Sequence, residues 1–432
     1  MFRLNLRLTK KVYVESFGCS ANLADGEVIA GCLKNAGYIL TQNPSEADIL
    51  IYNTCAVKSP TEDRMISILK RVPKEKKLIV AGCLPLINFK RLEREVKFDG
   101  VIGPAPGNEI VNLIKKVEHG EKCLILKNDF KPNLSLPRVN SSPVRFVIPI
   151  SYGCLGACSF CCVRFARGKL RSYHINEILE QIEKAVKMGI KEIWLTSQDL
   201  AAYGKDLGLS LTDLLEKIVK VKGEFFVRLG MMNPSNLLDL MEEIVEFYRD
   251  EKIFKFLHLP LQSGDDEVLR LMNRFYRVKD FKKIVSHFKR KIPWLTFATD
   301  IICGFPGETE EAFQNSLKVI EEIKPDIVNV SKFYPRPGTP ASKMKMLPTF
   351  EIKRRSKIMS EIVSKISLEK NLGWVSWEGK ILVDEKGWKN SWIGRNFAYK
   401  PIVIQDEQNL MGKYLNVKIV KAYTNYLEAK IM

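Results

Sequence analysis

The stretch Gly153–Cys162 reads GCLGACSFCC and places four of the chain's ten cysteines within nine residues. Ferredoxin-type clusters are held by C-x-x-C-x-x-C spacing with a fourth cysteine, whereas Cys154, Cys158 and Cys161 are separated by three residues and then two. A zinc ribbon needs two C-x-x-C pairs, and a second pair is absent from the sequence. Three thiolates around a cube of four irons leave one iron without a protein ligand. That open iron is a place for chemistry.

Working outward, the loop follows the strand-like RFVIPIS. KEIWLTS, FFVRLGM, FKFLHLP, TFATDIICG and DIVNVSKFY recur after it, each following an amphipathic stretch such as INEILEQIEKAVKMG or TDLLEKIVKVKG. Six strands joined by helices over about 190 residues predict a partial (β/α) barrel whose site sits at the strand C-termini. N-terminal to the loop, KVYVESF, DILIYNT, KLIVAG and DGVIG alternate with helical patterns, which predicts a parallel sheet covered by helices. One of those helices opens at SPTED, with Ser59 as cap and Pro60 in the first turn. Three of the strands run into Cys19, Cys55 and Cys83. Ligands of open parallel sheets bind beyond the strand carboxyl ends, so these thiols could converge, although three separate core cysteines would look the same in sequence.

Residues 122–144, with three prolines and weak periodicity, read as a linker. Residues Lys343–Lys370 hold eight Lys or Arg against three Glu in a helical pattern, read either as a solvated face or as an RNA contact. The last 60 or so residues form strand-like segments separated by turns, a small β-barrel carrying four of the six tryptophans. Aromatics among lysines suit base stacking beside phosphate neutralisation, and equally suit a barrel core. The net charge of +18 favours an anionic partner. No apolar run approaches the ~18 residues that span a bilayer, and MFRLNLRLTKK lacks the apolar block of a secretory signal, so no membrane and a cytoplasmic location are expected. In that reducing compartment the cysteines read as ligands or buried thiols.

The spacing C-x-x-x-C-x-aromatic-C, with Phe160 as the aromatic, resembles the radical S-adenosylmethionine (SAM) superfamily. Gly18–Asn22 (GCSAN), NTCAV at 53–57, AGC at 81–83, LQSG at 261–264, GFPGET at 304–309 and PRPGTP at 335–340 narrow the resemblance to the methylthiotransferases. It implies a multidomain α/β architecture: an N-terminal α/β parallel-sheet domain over 1–121, a linker over 122–144, a radical SAM partial (β/α)6 barrel over 145–368 and a TRAM-like β-barrel over 369–432. It also implies two 4Fe-4S clusters, one on Cys154, Cys158 and Cys161 and one on Cys19, Cys55 and Cys83, with SAM as cosubstrate. VRFARG, TSQDLAAYGKD, RLGMMNP and FYPRPGTPASKM look most like the branch that methylthiolates threonylcarbamoyladenosine at tRNA position 37. The alternatives are isopentenyladenosine in tRNA, a ribosomal-protein aspartate, or an iron-sulfur RNA-binding protein without catalysis. The implied partners are tRNA, a protein or small-molecule electron donor, and a sulfur source.

Matching the motifs makes Phe160, Gln198, Asp199, Gln262 and Asp300 candidate cofactor contacts. For Gln198 and Asp199, a polar strand terminus capping the next turn is the competing reading. Cys162 is expected to be a bystander, Cys32 and Cys123 structural, and Cys303 is unassigned. Arg164, Arg167, Lys169 and Arg171 are read as phosphate contacts or ordinary surface charge. His119 is read as a helix cap, and His258, expected to face the barrel mouth, is read as a packed barrel histidine.

Overall fold

The computed structural model describes residues 10–432. Met1–Thr9, part of the stretch read as lacking a secretory signal, lie outside the described residues. β1 (Lys11–Ser16), β2 (Ile39–Leu40), β3 (Ile49–Thr54), β4 (Lys77–Gly82), β5 (Gly100–Ile102) and β6 (Cys123–Ile125) form one parallel sheet in the order β2-β1-β3-β4-β5-β6. The near-continuous apolar runs of β3 and β4 are explained by burial on both faces. Leu50, Tyr52, Leu78 and Val80 feed one core, and Ile49, Ile51, Ile79 and Ala81 feed the other.

Two local expectations change. β6 lies inside the stretch read as a linker, so the sheet extends beyond residue 121 and Cys123 belongs to it. The rest of that stretch is strapped down: Val139 N donates to Glu27 O at 2.9 Å, and Arg138 pairs with Glu27 and donates to Val147 O at 2.9 Å. Gly31 permits this approach, since a Cβ there would lie 2.1 Å from the Pro137 carbonyl oxygen. The helix Ser59–Lys70 begins at Ser59 itself, with Lys58 in the cap position and no side-chain cap. The Ser59 hydroxyl instead accepts from Arg336 Nη1 at 3.3 Å.

The central domain contains β7 (Arg145–Pro149), β8 (Ser151–Tyr152), β9 (Arg171–Ser172), β10 (Glu192–Thr196), β11 (Phe226–Leu229), β12 (Phe256–His258), β13 (Thr296–Cys303) and β14 (Ile327–Lys332). β7-β10-β11 and β12-β13-β14 are parallel triplets. They join into one arc where Val227 N donates to Lys252 O at 2.7 Å and Phe254 N donates to Val227 O at 3.0 Å. β8 and β9 pair antiparallel and close the base of the cysteine loop.

β15 (Glu378–Lys386), β16 (Ser391–Arg395), β17 (Pro401–Gln405), β18 (Tyr414–Ala422) and β19 (Leu427–Ile431) form a closed barrel in the order β15-β16-β17-β19-β18. Closure removes the exposed edges of so short a sheet. Trp374 and Trp392 fill its core with Ile381, Val383, Ile402, Val417 and Leu427, whereas Trp388 is 80% exposed. The basic stretch before it is the helix Thr349–Leu372, and its Arg355 is buried in ion pairs with Glu308 and Glu351 rather than solvated.

Lys400 of the small barrel is buried and donates to Asp326 Oδ1 at 2.7 Å and Asn371 Oδ1 at 3.0 Å. Breaking a buried pair from one side leaves an uncompensated charge worth about 3–5 kcal/mol. Lys400→Met is therefore expected to destabilise the chain by roughly that amount in urea unfolding, with protease cleavage appearing first between residues 373 and 432.

Candidate active site

The cysteine loop wraps around Gly156. A Cβ at Gly156 would lie 3.3 Å from Cys154 Sγ and 3.8 Å from Cys158 Sγ, so the missing side chain leaves room for those thiols to converge. Gly156 N donates to Cys154 Sγ at 3.2 Å and Arg274 Nη1 to Cys158 Sγ at 3.3 Å. Burial pushes the Cys161 thiol up to about 12, with Cys162 and Cys158 adding to the rise. Burial also raises Cys154. Thiols held this far above neutrality become thiolates when a metal replaces the proton.

The other trio lies at the carboxyl end of the N-terminal sheet. Cys19 caps the helix Ser20–Asn35, Cys55 follows β3 and Cys83 follows β4. Cys83 N donates to Thr54 O at 2.9 Å, and a Cβ at Gly18 would lie 2.9 Å from Cys55 Sγ. Gly18 has φ +108°, a conformation that glycine adopts without cost. Burial raises Cys83 to about 12, opposed by Arg167 and reinforced by Cys19 and Cys55. Among the described residues no three ligands close on a single metal ion. A zinc site needs every donor about 2.0–2.3 Å from one atom, whereas a four-iron cluster gives each thiolate its own iron. Both donor sets have the chemistry of the cluster.

Arg167, read from sequence as a phosphate contact or surface charge, is buried at the end of the helix Val163–Arg167. Its Nη2 donates to Asp25 Oδ2 at 2.7 Å and Asn22 Oδ1 at 3.0 Å, and Tyr152 donates to Asp25 Oδ1 at 2.8 Å. Arg171, half-buried, donates to the carbonyls of Asn128, Phe130, Arg167 and Lys169. Arg336 pairs with the buried Glu62, and Ser20 bonds Thr196 at 2.7 Å. These contacts seat the N-terminal sheet on the barrel mouth. None carries a signal in the sequence, because an Asp in a helix or an Arg after a loop reads as surface.

Beside the barrel cysteine loop, where the loop after Cys55 meets it, lies a cavity of about 390 Å³. The loop after Cys55 supplies Val57 and Lys58, the cysteine loop Phe160, Cys161 and Cys162, and the barrel strands His258, Gln262, Asp300 and Asn329. Gln262 holds φ +71°, uncommon for a residue with a side chain, and bridges β13 through Asp300 O and Ile302 N. His258 is not packed in the core: its Nε2 lies 3.1 Å from Asp300 Oδ1, and Asn329 donates to the same oxygen at 2.7 Å. Burial works to raise Asp300, but His258 and Asn329 outweigh it and leave the carboxyl below its ordinary range.

The two residues of TSQD separate. Asp199 commits both oxygens to the next loop, accepting from Asn233 N at 2.9 Å and Asn236 Nδ2 at 2.7 Å, as a strand-terminus cap would. Gln198 Oε1 is buried without a partner and keeps an open acceptor. Cys162 is buried with Ala56 and Ala166 in the core of the N-terminal sheet, and Phe160 sets its edge against Phe305 at 6.4 Å. Cys32 and Cys123 lie in the second core of that sheet, and Cys303 lies in the barrel core. His119 caps its helix, Nδ1 lying 2.7 Å from Lys115 O.

Comparison with known proteins adds the following. Residues 148–320 match the radical SAM superfamily, 378–432 the TRAM domain, and 11–103 a family described as uncharacterized protein family UPF0004. The chain is 40% identical to the probable threonylcarbamoyladenosine tRNA methylthiotransferase of Pyrococcus horikoshii, covering 98% of this chain and 99% of that one. It is 40% identical to the Methanocaldococcus jannaschii protein of that name, covering 100% and 99%. The threonylcarbamoyladenosine tRNA methylthiotransferase of Homo sapiens is 36% identical, covering 98% and 74%. Among solved structures, the radical S-adenosylmethionine methyltransferase TsrM of Kitasatospora setae shares the fold, with TM-score 0.57 and 14% identity over 78% of this chain and 77% of that one.

The arrangement makes a direct comparison of neighbouring cysteines informative. Cys161→Ala is expected to abolish the iron bound by the barrel loop, whereas Cys162→Ala keeps it. Iron and sulfide analysis after anaerobic reconstitution, in a background lacking the N-terminal trio, checks both.

Proposed function

Because the chain belongs to the threonylcarbamoyladenosine tRNA methylthiotransferases, we propose that it adds a methylthio group to carbon 2 of N6-threonylcarbamoyladenosine at position 37 of tRNA. The observation that carries this reading is the cavity bordered by residues next to both cysteine trios. An unactivated C–H carbon offers no acidity for a base to use, so the protein's task is to hold cofactors and substrate in register. Cys154, Cys158 and Cys161 would hold one 4Fe-4S cluster, and Cys19, Cys55 and Cys83 the other. When bound, these groups and SAM supply the radical, sulfur and methyl chemistry.

The chain's own residues do the positioning. Gln198, with its unpartnered acceptor, suits the amino group of SAM better than Asp199, whose oxygens are committed. Asp300, kept ionised by His258 and Asn329, and Gln262 present polar groups into the same cavity. Phe160, Phe333 and Tyr334 give it aromatic walls, which suit a base lifted out of its stack. The net charge of +18 favours tRNA. In the small barrel Trp388, with Lys389 Nζ 4.4 Å from its ring centre, offers an exposed stacking surface. No helix among the described residues is long and apolar enough to cross a membrane. The reading places the enzyme in the cytoplasm and requires a reductant and a sulfur source from outside the chain.

Two measurements test it. Nucleosides from tRNA of a strain lacking the gene are expected to contain threonylcarbamoyladenosine without its methylthio form, and persistence of that form would overturn the reading. In the reconstituted enzyme, Cys83→Ala is expected to retain reductive cleavage of SAM to deoxyadenosine while losing at least about a hundredfold in methylthio product, a loss of about 2.7 kcal/mol or more in transition-state terms.

A further inference from the structure

The cavity bordered by the barrel cysteine loop and the loop after Cys55 carries more positive charge than it neutralises. Of its ionisable lining groups, His258 faces Asp300, and Arg336 is paired with Glu62. Lys58 and Lys332 are different: among the described residues neither is paired with a carboxylate, although the Lys58 charge reaches Asp300 and helps hold its carboxyl low. Lys58 Nζ donates at 2.7 Å to the neutral hydroxyl of Ser331. Lys58 comes from the loop three residues after Cys55, and Lys332 ends β14, so the two meet at the cavity only because the N-terminal sheet sits on the barrel.

We propose that Lys58 and Lys332 form the subsite for the carboxylate of the substrate's threonylcarbamoyl group, and so set which N6 substituent the enzyme accepts. The inference rests on the reading of the previous section and adds the residues that choose among adenosines. An isopentenyl group is hydrocarbon. Placed against two ammonium groups it removes their water and returns no hydrogen bond, which costs free energy. A carboxylate there gains charge-assisted hydrogen bonds in surroundings of reduced dielectric, where they are about twice as strong as neutral ones. Two lysines, each a compact charge on a flexible stem, can close together on the threonyl carboxylate at the end of β14 while Phe160, Phe333 and Tyr334 border the base.

The test compares two tRNA anticodon stem-loops, one bearing threonylcarbamoyladenosine and one in which the threonyl carboxylate has been converted to a carboxamide. The wild-type holoenzyme is expected to favour the acid by about tenfold or more in kcat/KM. Lys58→Gln combined with Lys332→Gln is expected to raise KM for the acid about tenfold or more and to bring the acid-to-amide ratio close to one. Lys58→Arg, which keeps the charge, retains most of the ratio. A double variant that keeps the wild-type ratio, including one that loses both substrates in proportion because its structure is damaged, overturns the proposal. A wild-type enzyme that methylthiolates neither stem-loop overturns the underlying reading instead.

Discussion

The arrangement depends on one guanidinium taken out of water. Arg167 is 2% exposed, and removing such a charge from solvent costs several kcal/mol unless it is fully paired. Asp25 and Asn22 offset that cost through Nη2, while the buried Nη1 has no partner among the described residues, and Tyr152 occupies the other oxygen of Asp25. Arg167 lies six residues after Cys161, and Tyr152 two residues before Cys154. Asn22 lies three residues after Cys19 and donates to the carbonyls of Phe17, Asn53 and Thr54, the last adjacent to Cys55. One polar network thus fixes both cysteine loops, and neither domain can shift without stranding a buried charge.

That constraint converts two separate folds into one site. A parallel sheet gathers side chains at its carboxyl end, and a partial barrel does the same at its mouth. Placed face to face by Arg167, Arg336 and the Ser20–Thr196 contact, the two ends share a cavity to which the N-terminal domain adds Val57 and Lys58. Radical transfer and sulfur delivery need such proximity, because a reactive intermediate must meet its target before water does. The small barrel is anchored to the other side of the central domain through Lys400 and Asp326, which leaves Trp388 facing solvent.

The sequence made the strands and their layers legible because apolar runs such as ILIY and LIVA have one good solution, burial on both faces of a parallel sheet. The three-two cysteine spacing was equally legible, since spacing along a short loop limits what its thiols can hold. Charge was read poorly. Arg167 and Arg355 look like surface residues in any local window, and only tertiary contacts decide that they are buried. The orientation of His258 toward Asp300 carries no local signal, because it depends on the register of β12 against β13. Ser59 yielded the cap position to Lys58 once Arg336 from the barrel reached its hydroxyl. β6 escaped notice because three residues give too short a pattern to show a period.

The central claim is spatial: one cavity is bordered by residues that adjoin two cysteine trios from two domains. Anomalous scattering at the iron edge from crystals of the reconstituted protein tests it directly. The account predicts two separate iron peaks, one enclosed by Cys154, Cys158 and Cys161 and one by Cys19, Cys55 and Cys83, on either side of the space lined by Lys58, His258 and Gln262. A single peak, or a second peak remote from that space, would contradict it.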